Sequence, residues 1–202
     1  CVSMSDPGML VLPTHRLFRG VPAMTAGELT QKLGDSFTTE PAGSGPDRAL
    51  ELWPDIEMEG DQGTLAFYTA EDDQWTLARL TAEGQQRLTE VAPERSNEWR
   101  SLGVSILHRL VMDTLLASPN LPAPKYVRSL GEVPTSLREG DSAGRDLTGQ
   151  VGSGGRFELA ALVMPATLEH IRDVSGHGER MPAKSTYFYP KILSGLVFNP
   201  LE

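Results

Sequence analysis

Cysteine is nearly absent: one in 202 residues, and it is the first residue. A single thiol cannot form an intrachain disulfide, which excludes the small secreted scaffolds that depend on such bonds. Lysine is scarce as well, at Lys32, Lys125, Lys184 and Lys191, and no basic run occurs. Affinity for a nucleic-acid backbone requires clustered cations, so that class is disfavoured. The apolar runs, such as Met9-Leu10-Val11-Leu12, fall far short of the roughly 20 residues that a membrane-spanning helix needs. No basic-then-apolar leader opens the chain. These gaps point to no oxidising compartment and no membrane partner. Cys1 has two readings: the lipidated start of a lipoprotein, or the cut end of a longer protein. A lipoprotein needs a polar tether, yet a strand-like run arrives just after Ser5-Asp6-Pro7-Gly8. The second reading is therefore preferred.

What is present describes a globular chain of 22.0 kDa, with 39% hydrophobic and 22% charged residues, 20 glycines and 15 prolines. A chain of this length can bury about 70% of its unfolded surface. The formal net charge is −9. All of it sits in residues 40–73, where ten acidic side chains face Arg48 alone. The rest of the chain balances. This segment reads as a solvated face.

Periodicity and punctuation give a mixture of elements without regular βαβ alternation, so the class is α+β, with a mixed or antiparallel sheet. Met9–Leu12 reads as a short buried strand. Thr25 and Glu28 form a capping box for a helix to about Leu33. Residues 38–46 read as a flexible loop by composition, and Pro54 limits a helix opening at Pro46. Thr64–Thr69 and Gln74–Leu80 read as a β-hairpin. Apolar residues at three- and four-residue steps predict one long amphipathic helix over about 97–117. Tyr126-Val127 reads as a short strand. The glycine-rich stretch 140–156 reads as a second flexible loop. Phe157–Met164 reads as a strand, Thr167 caps a helix to about Val174, and Ser185–Tyr189 and Gly195–Phe198 are extended. The chain reads as a single unit over 1–202.

Two segments carry candidate chemistry. Thr14-His15-Arg16 sets a titratable imidazole beside a fixed cation and a hydroxyl, a combination that can grip phosphate and move a proton. His15 and Arg16 are the catalytic candidates, with Thr14 as a phosphate contact. Gly178-Glu-Arg-Met-Pro-Ala-Lys184-Ser185 has the spacing of a P-loop, with Ala183 at the second glycine position. It follows a helix instead of a strand, and Pro182 removes an amide from the cradle, so a true P-loop is rejected. Arg180, Lys184, Ser185, Thr186 and Lys191 remain an anion-contacting set, weighed against an ordinary polar stretch beside a strand. The four histidines are scattered, so no metal site is expected. His108, inside the long helix, reads as structural. No Gly-x-Ser-x-Gly elbow occurs.

Asp6–Arg16, Leu107–Met112 and the long segment from Gly178 to Phe198, in this order, resemble domain-of-unknown-function family 1015. The resemblance is to the C-terminal half of that family and spans essentially the whole chain, with 35–62 and 131–156 longer and looser than its pattern. It implies an upstream half bearing an Asp-Gly-His-His-Arg motif similar to that of ParB-like nucleotidases and free-serine kinases. On that basis the chain is expected to be part of a cytoplasmic, ParB-related protein that handles phosphate or nucleotide, inactive alone and partnered by its upstream half. Its ligand would be a small phosphorylated molecule. The resemblance implies no cofactor in this chain, and ATP or ADP with Mg in the full-length protein, as for a small-molecule kinase or other phosphoryl transfer enzyme. The competing reading is a non-catalytic structural or protein-interaction module.

Overall fold

The computed structural model describes residues 6–140 and 155–191. Its centre is a six-stranded sheet in the order β3-β5-β4-β7-β2-β6, built from β2 (His15–Phe18), β3 (Phe37–Ser44), β4 (Thr64–Thr69), β5 (Gln74–Leu80), β6 (Lys125–Val127) and β7 (Leu159–Val163). Every neighbouring pair is antiparallel. A separate ribbon pairs β1 (Leu10–Leu12) with β8 (Tyr187–Tyr189), Leu10 opposite Tyr189. The α+β class holds, and of the two sheet types expected the antiparallel one is observed.

Helices cover both faces of the sheet, and the strand sequences record this. Side chains alternate between faces along a strand. Phe18, Leu65, Phe67, Leu159, Ala161 and Val163 therefore enter one core, while Leu17, Ala66, Tyr68, Ala160 and Leu162 enter the other. With both faces covered, β7 can be the continuous apolar run Leu-Ala-Ala-Leu-Val, buried throughout. The first core is closed by α1 (Ala26–Leu33), α3 (Ala82–Val91) and a helix that starts at Gly103–Ser105 (α5). The second core is closed by α2 (Arg48–Glu59) and α6 (Glu132–Glu139).

Several elements follow their local chemistry. Thr25 accepts from the Glu28 N–H, and Glu28 accepts from the Thr25 N–H, so the capping box closes α1. Thr167 caps α7 (Leu168–Gly176) in the same manner, with His170 Nδ1 returning the bond. The 64–80 hairpin pairs Thr64 with Arg79 through Thr69 with Gln74.

Other expectations need correction. Residues 38–46 are not a loop: most of them form β3, whose Pro41 and bulge are tolerated because β3 is an edge strand. Pro54 does not stop α2; it lies on the exposed face below exposed Leu50, where the freed carbonyl can bond to water. The β1 strand is partly exposed, Leu10 most of all. The 97–117 helix is broken at Ser101-Leu102: α4 (Asn97–Arg100) precedes the break, and α5 runs on as a π-wound helix over Ile106–Leu115. Its apolar face remains continuous and enters the first core. All but the ends of the 140–156 stretch, and the run Gly195–Phe198, lie outside the described residues.

The first turn of α3 passes very close to the chain before β3. A Cβ on Gly84 would sit 2.2 Å from the Ser36 carbonyl oxygen and 2.7 Å from Leu80 Cδ1. Gly84→Ala is therefore expected to destabilise the fold by about 1–3 kcal/mol. Urea unfolding would show it as a lower midpoint with an unchanged slope; an unchanged midpoint would mean that α3 docks differently.

Candidate functional site

Strand β2 begins with two polar residues, His15 and Arg16, and both are 0% exposed. Because neighbours on a strand face opposite ways, they part company at once. His15 enters the second core, its ring edge-on to Trp53 at 4.6 Å, and Nδ1 accepts a 3.4 Å bond from the Val163 N–H. Among the described residues its Nε2 has no partner. Arg16 enters the opposite side. The expected His15–Arg16 catalytic pair is thus separated by the sheet itself.

Among the described residues, Arg16 is held only by uncharged groups. Nε donates to His108 Nε2 at 3.1 Å, Nη1 to the Thr14 carbonyl at 2.5 Å and Nη2 to the Lys184 carbonyl at 3.1 Å. Its guanidinium also lies 5.8 Å from the ring centroid of Tyr126, its cross-strand neighbour on β6. Among the described residues no carboxylate pairs with it. Burial lowers its pKa to about 10, with Tyr126 opposing, so it stays charged at neutral pH. An unpaired buried charge costs several kcal/mol unless hydrogen bonds or a counter-ion offset it.

Beside this cation opens a cleft of about 770 Å³. His108 and Ser105 line it from the α5–π helix, Tyr126 from β6, Trp99 from α4, and Arg180 from the segment after α7. The 178–183 strand of chain is fixed by Glu179, which accepts from the Ser96 N–H at 3.0 Å and the Ser96 hydroxyl at 2.5 Å. Burial pushes the Glu179 carboxyl upward, but these bonds outweigh it and hold it below the usual range. Two cations at the cleft are engaged: Arg95 lies over Trp99, and Arg109 bonds the Val91 carbonyl and Asp113. Arg180 is exposed and has no ion pair among the described residues. It is the available cation.

The remaining sequence-predicted residues fall in different places. Thr14 and Lys184 meet Arg16 through their backbone oxygens, Lys184 from a left-handed backbone with φ 56°. The Ser185 hydroxyl is buried and donates to the Pro182 carbonyl at 2.7 Å. Lys191 lies 4.3 Å from the Tyr187 ring centroid, and neither it nor Thr186 lines the cleft. Sequence reasoning missed His108, which it read as structural, and Ser105. The segment Leu107–Met112 carried a signal only through the resemblance described above, and the family match stops short of it. Among the described residues no group of three His, Cys, Asp or Glu could hold a metal ion, and no helix is long and apolar enough to cross a membrane.

Both buried imidazoles are neutral. Burial first, and the Arg16 charge second, lower His15 to about 3 and His108 to about 4. An unfolded histidine gains its proton near 6.5, so below that pH the unfolded chain binds more protons than the folded one. Stability is therefore expected to fall as pH drops from about 6.5 towards those values, by up to ~1.4 kcal/mol per pH unit for each ring. Urea midpoints measured between pH 7 and 5 check this. His15→Gln and His108→Gln should each flatten the dependence, and an unaltered slope in both would refute neutral burial.

Comparison with known proteins follows from the same chain. The model of the family described as protein of unknown function (DUF1015) matches residues 1–105. The matched span contains Asp6–Arg16 and ends short of Leu107–Met112 and of the 178–198 segment. No curated protein matches the sequence. Among solved structures, a free serine kinase in complex with AMP is similar at a TM-score of 0.46 and 11% identity, over 93% of this chain and 56% of that one. This chain thus spans about half of that protein's length, and an overlap this loose carries no argument about chemistry.

Proposed function

Since the chain belongs to the DUF1015 family of proteins of unknown function, a membership that brings no activity with it, we propose that it supplies the anion-binding cleft of a larger ParB-related protein that handles a phosphorylated small molecule or nucleotide. It would act together with an upstream half and not alone. The observation that carries this reading is Arg16: a buried guanidinium without a carboxylate among the described residues, bonded to a residue on the cleft wall. A ligand anion in the cleft would be a counter-ion that the described residues do not supply. Arg180 at the rim would add a direct charge-assisted contact, while Trp99 and Tyr126 bring aromatic surface to the lining. His15 is outside this site. Lys184 contributes its carbonyl to Arg16, and its exposed ammonium is a secondary cation on the same segment.

The described residues offer no metal cluster, so magnesium accompanying ATP or ADP would have to enter with the nucleotide or be held by other parts of the protein. No step is assigned to it.

Calorimetric titration with ATP and with inorganic phosphate tests the reading. Binding is expected, and Arg180→Ala should weaken it about tenfold or more, the range for a hydrogen bond to a charged group. Lys184→Ala should have a smaller effect. No binding by the unaltered protein, or full affinity in Arg180→Ala, would reject the cleft as an anion site.

A further inference from the structure

We propose that the seam between β6 and the β1–β8 ribbon forms a cationic ledge beside the cleft, where Arg128 and Lys191, both set against the ring of Tyr187, receive a further anionic group of the ligand. The molecule that fits cleft and ledge together carries more than one phosphoryl group, as a polyphosphate chain does. This rests on the cleft reading above and names the class of substrate within it.

One ring gathers both charges. The Arg128 guanidinium lies 4.1 Å from the Tyr187 ring centroid, and the Lys191 ammonium lies 4.3 Å from it and 5.9 Å from that of Phe188. Both cations are exposed, while Tyr187 is half-buried in the ribbon. An aromatic ring attracts a cation and restrains its stem, but it does not cancel the charge. Among the described residues neither cation pairs with a carboxylate. Other arginines of this surface behave differently: Arg48, Arg79 and Arg138 each engage one or two carboxylates. Two like charges held at one ring repel each other, and a shared anion relieves that repulsion.

Two segments lead from the cleft to this ledge. Tyr126 lines the cleft and pairs with Arg16 across β2 and β6. Arg128 stands two residues further on, just past the end of β6, and strand alternation carries it to the face of Tyr126. Lys125 takes the other face, 5.8 Å from the Phe157 ring of the second core. From the opposite wall, Pro182 and Ala183 line the cleft, and Lys184 follows, tied by its carbonyl to Arg16 before the chain enters β8. Arg16 therefore holds both approaches from beneath, at Tyr126 and at Lys184. Two residues of extended chain span roughly 7 Å, a step that a short polyphosphate chain covers and a single phosphate does not. Tyr187 is the positioning residue of the ledge, because it holds the two cations and brings no charge of its own. A monophosphate meets the cleft alone, whereas a polyphosphate meets both.

Calorimetric titration of the whole chain with inorganic phosphate and with inorganic triphosphate tests the ledge. Triphosphate is expected to bind more tightly. The double variant Arg128→Gln with Lys191→Gln changes only exposed side chains, and it should weaken triphosphate about tenfold, a few-fold for each exposed charge, while phosphate stays within about twofold. Two exposed cations removed elsewhere, Lys32→Gln with Arg87→Gln, should leave both affinities within about twofold. Tyr187→Leu should lose the triphosphate preference and Tyr187→Phe should keep it, since either aromatic ring can hold the cations. Should Tyr187→Leu fail to fold, the double variant decides. Unchanged triphosphate affinity in the double variant, equal weakening of both probes, or an equal loss in the Lys32 and Arg87 control would overturn the ledge and leave the cleft standing. If the unaltered protein bound triphosphate but not phosphate, and still through Arg128 and Lys191, the cleft reading would fall and the ledge would remain. Binding of neither probe would overturn both.

Discussion

A guanidinium buried without a carboxylate among the described residues constrains more of this structure than any apolar contact does. Arg16 needs acceptors, and the fold provides them from three places far apart in sequence: Thr14 beside it, His108 on the central helix and Lys184 near the end of the described chain. Each bond to a charged group contributes about 1.5–3 kcal/mol in favourable geometry. Together they offset a penalty of several kcal/mol for removing the cation from water. The arrangement works only if all three segments converge. Arg16 thus fixes the path of the segment after α7, which has little regular structure of its own before β8. Glu179 closes the same segment on Ser96 from the other side. The cleft is the space between those two attachments.

The sheet determines what can join this site. A strand that separates two covered faces must send consecutive residues in opposite directions, so the shared Thr-His-Arg motif cannot act as one constellation. His15 packs on Trp53 as a core residue, while Arg16 turns towards the central helix. That helix is wound wider than an α-helix over Ile106–Leu115. Such winding is rare, arises where residues must be re-aimed, and is frequent at functional sites. Here it spans His108, which keeps Leu107 and Leu110 in the core while reaching Arg16 and the cleft.

Much of the fold was legible because its signals are local. The Thr25 and Thr167 caps, the 64–80 hairpin and the β7 run each depend on residues within a few positions of one another. The failures share a physical form: a tertiary setting relaxed a local rule. Pro41 is acceptable because β3 is an edge, and Pro54 because its side of α2 faces water. Helix α3, with four glutamates or glutamines in Ala82–Val91 and only Leu88 deeply buried among its large residues, has too thin an apolar stripe to announce itself. The site was less legible than the fold. Arg16 and Arg180 stand in segments whose polarity is visible in one dimension. His108 was visible only through the family resemblance, in a segment that the matched span does not reach. The sequence also cannot show that Lys184 offers its carbonyl and not its ammonium to the centre.

The acidic excess finally separates from the question of ligand charge. Residues 40–73 are not a bare anionic face. Glu40 and Glu59 both engage Arg79 at 2.6 Å, Glu51 engages Arg48, and Asp47 engages Arg138. Arg79, held by two carboxylates, is driven above its ordinary pKa, and hydrogen bonding to Arg79 lowers Glu59. Asp72 and Asp73 accept from backbone and side-chain donors beside the hairpin turn. None of these residues lines the cleft. Exposed charges are screened within about 8 Å at physiological ionic strength, whereas Arg16 is shielded from salt by burial. The short-range field in the cleft is therefore set by the charges that line it, Glu94 and Glu179 against Arg95, Arg109 and Arg180, with Arg16 behind His108, and a protein with a net charge of −9 can still present a local preference for anions.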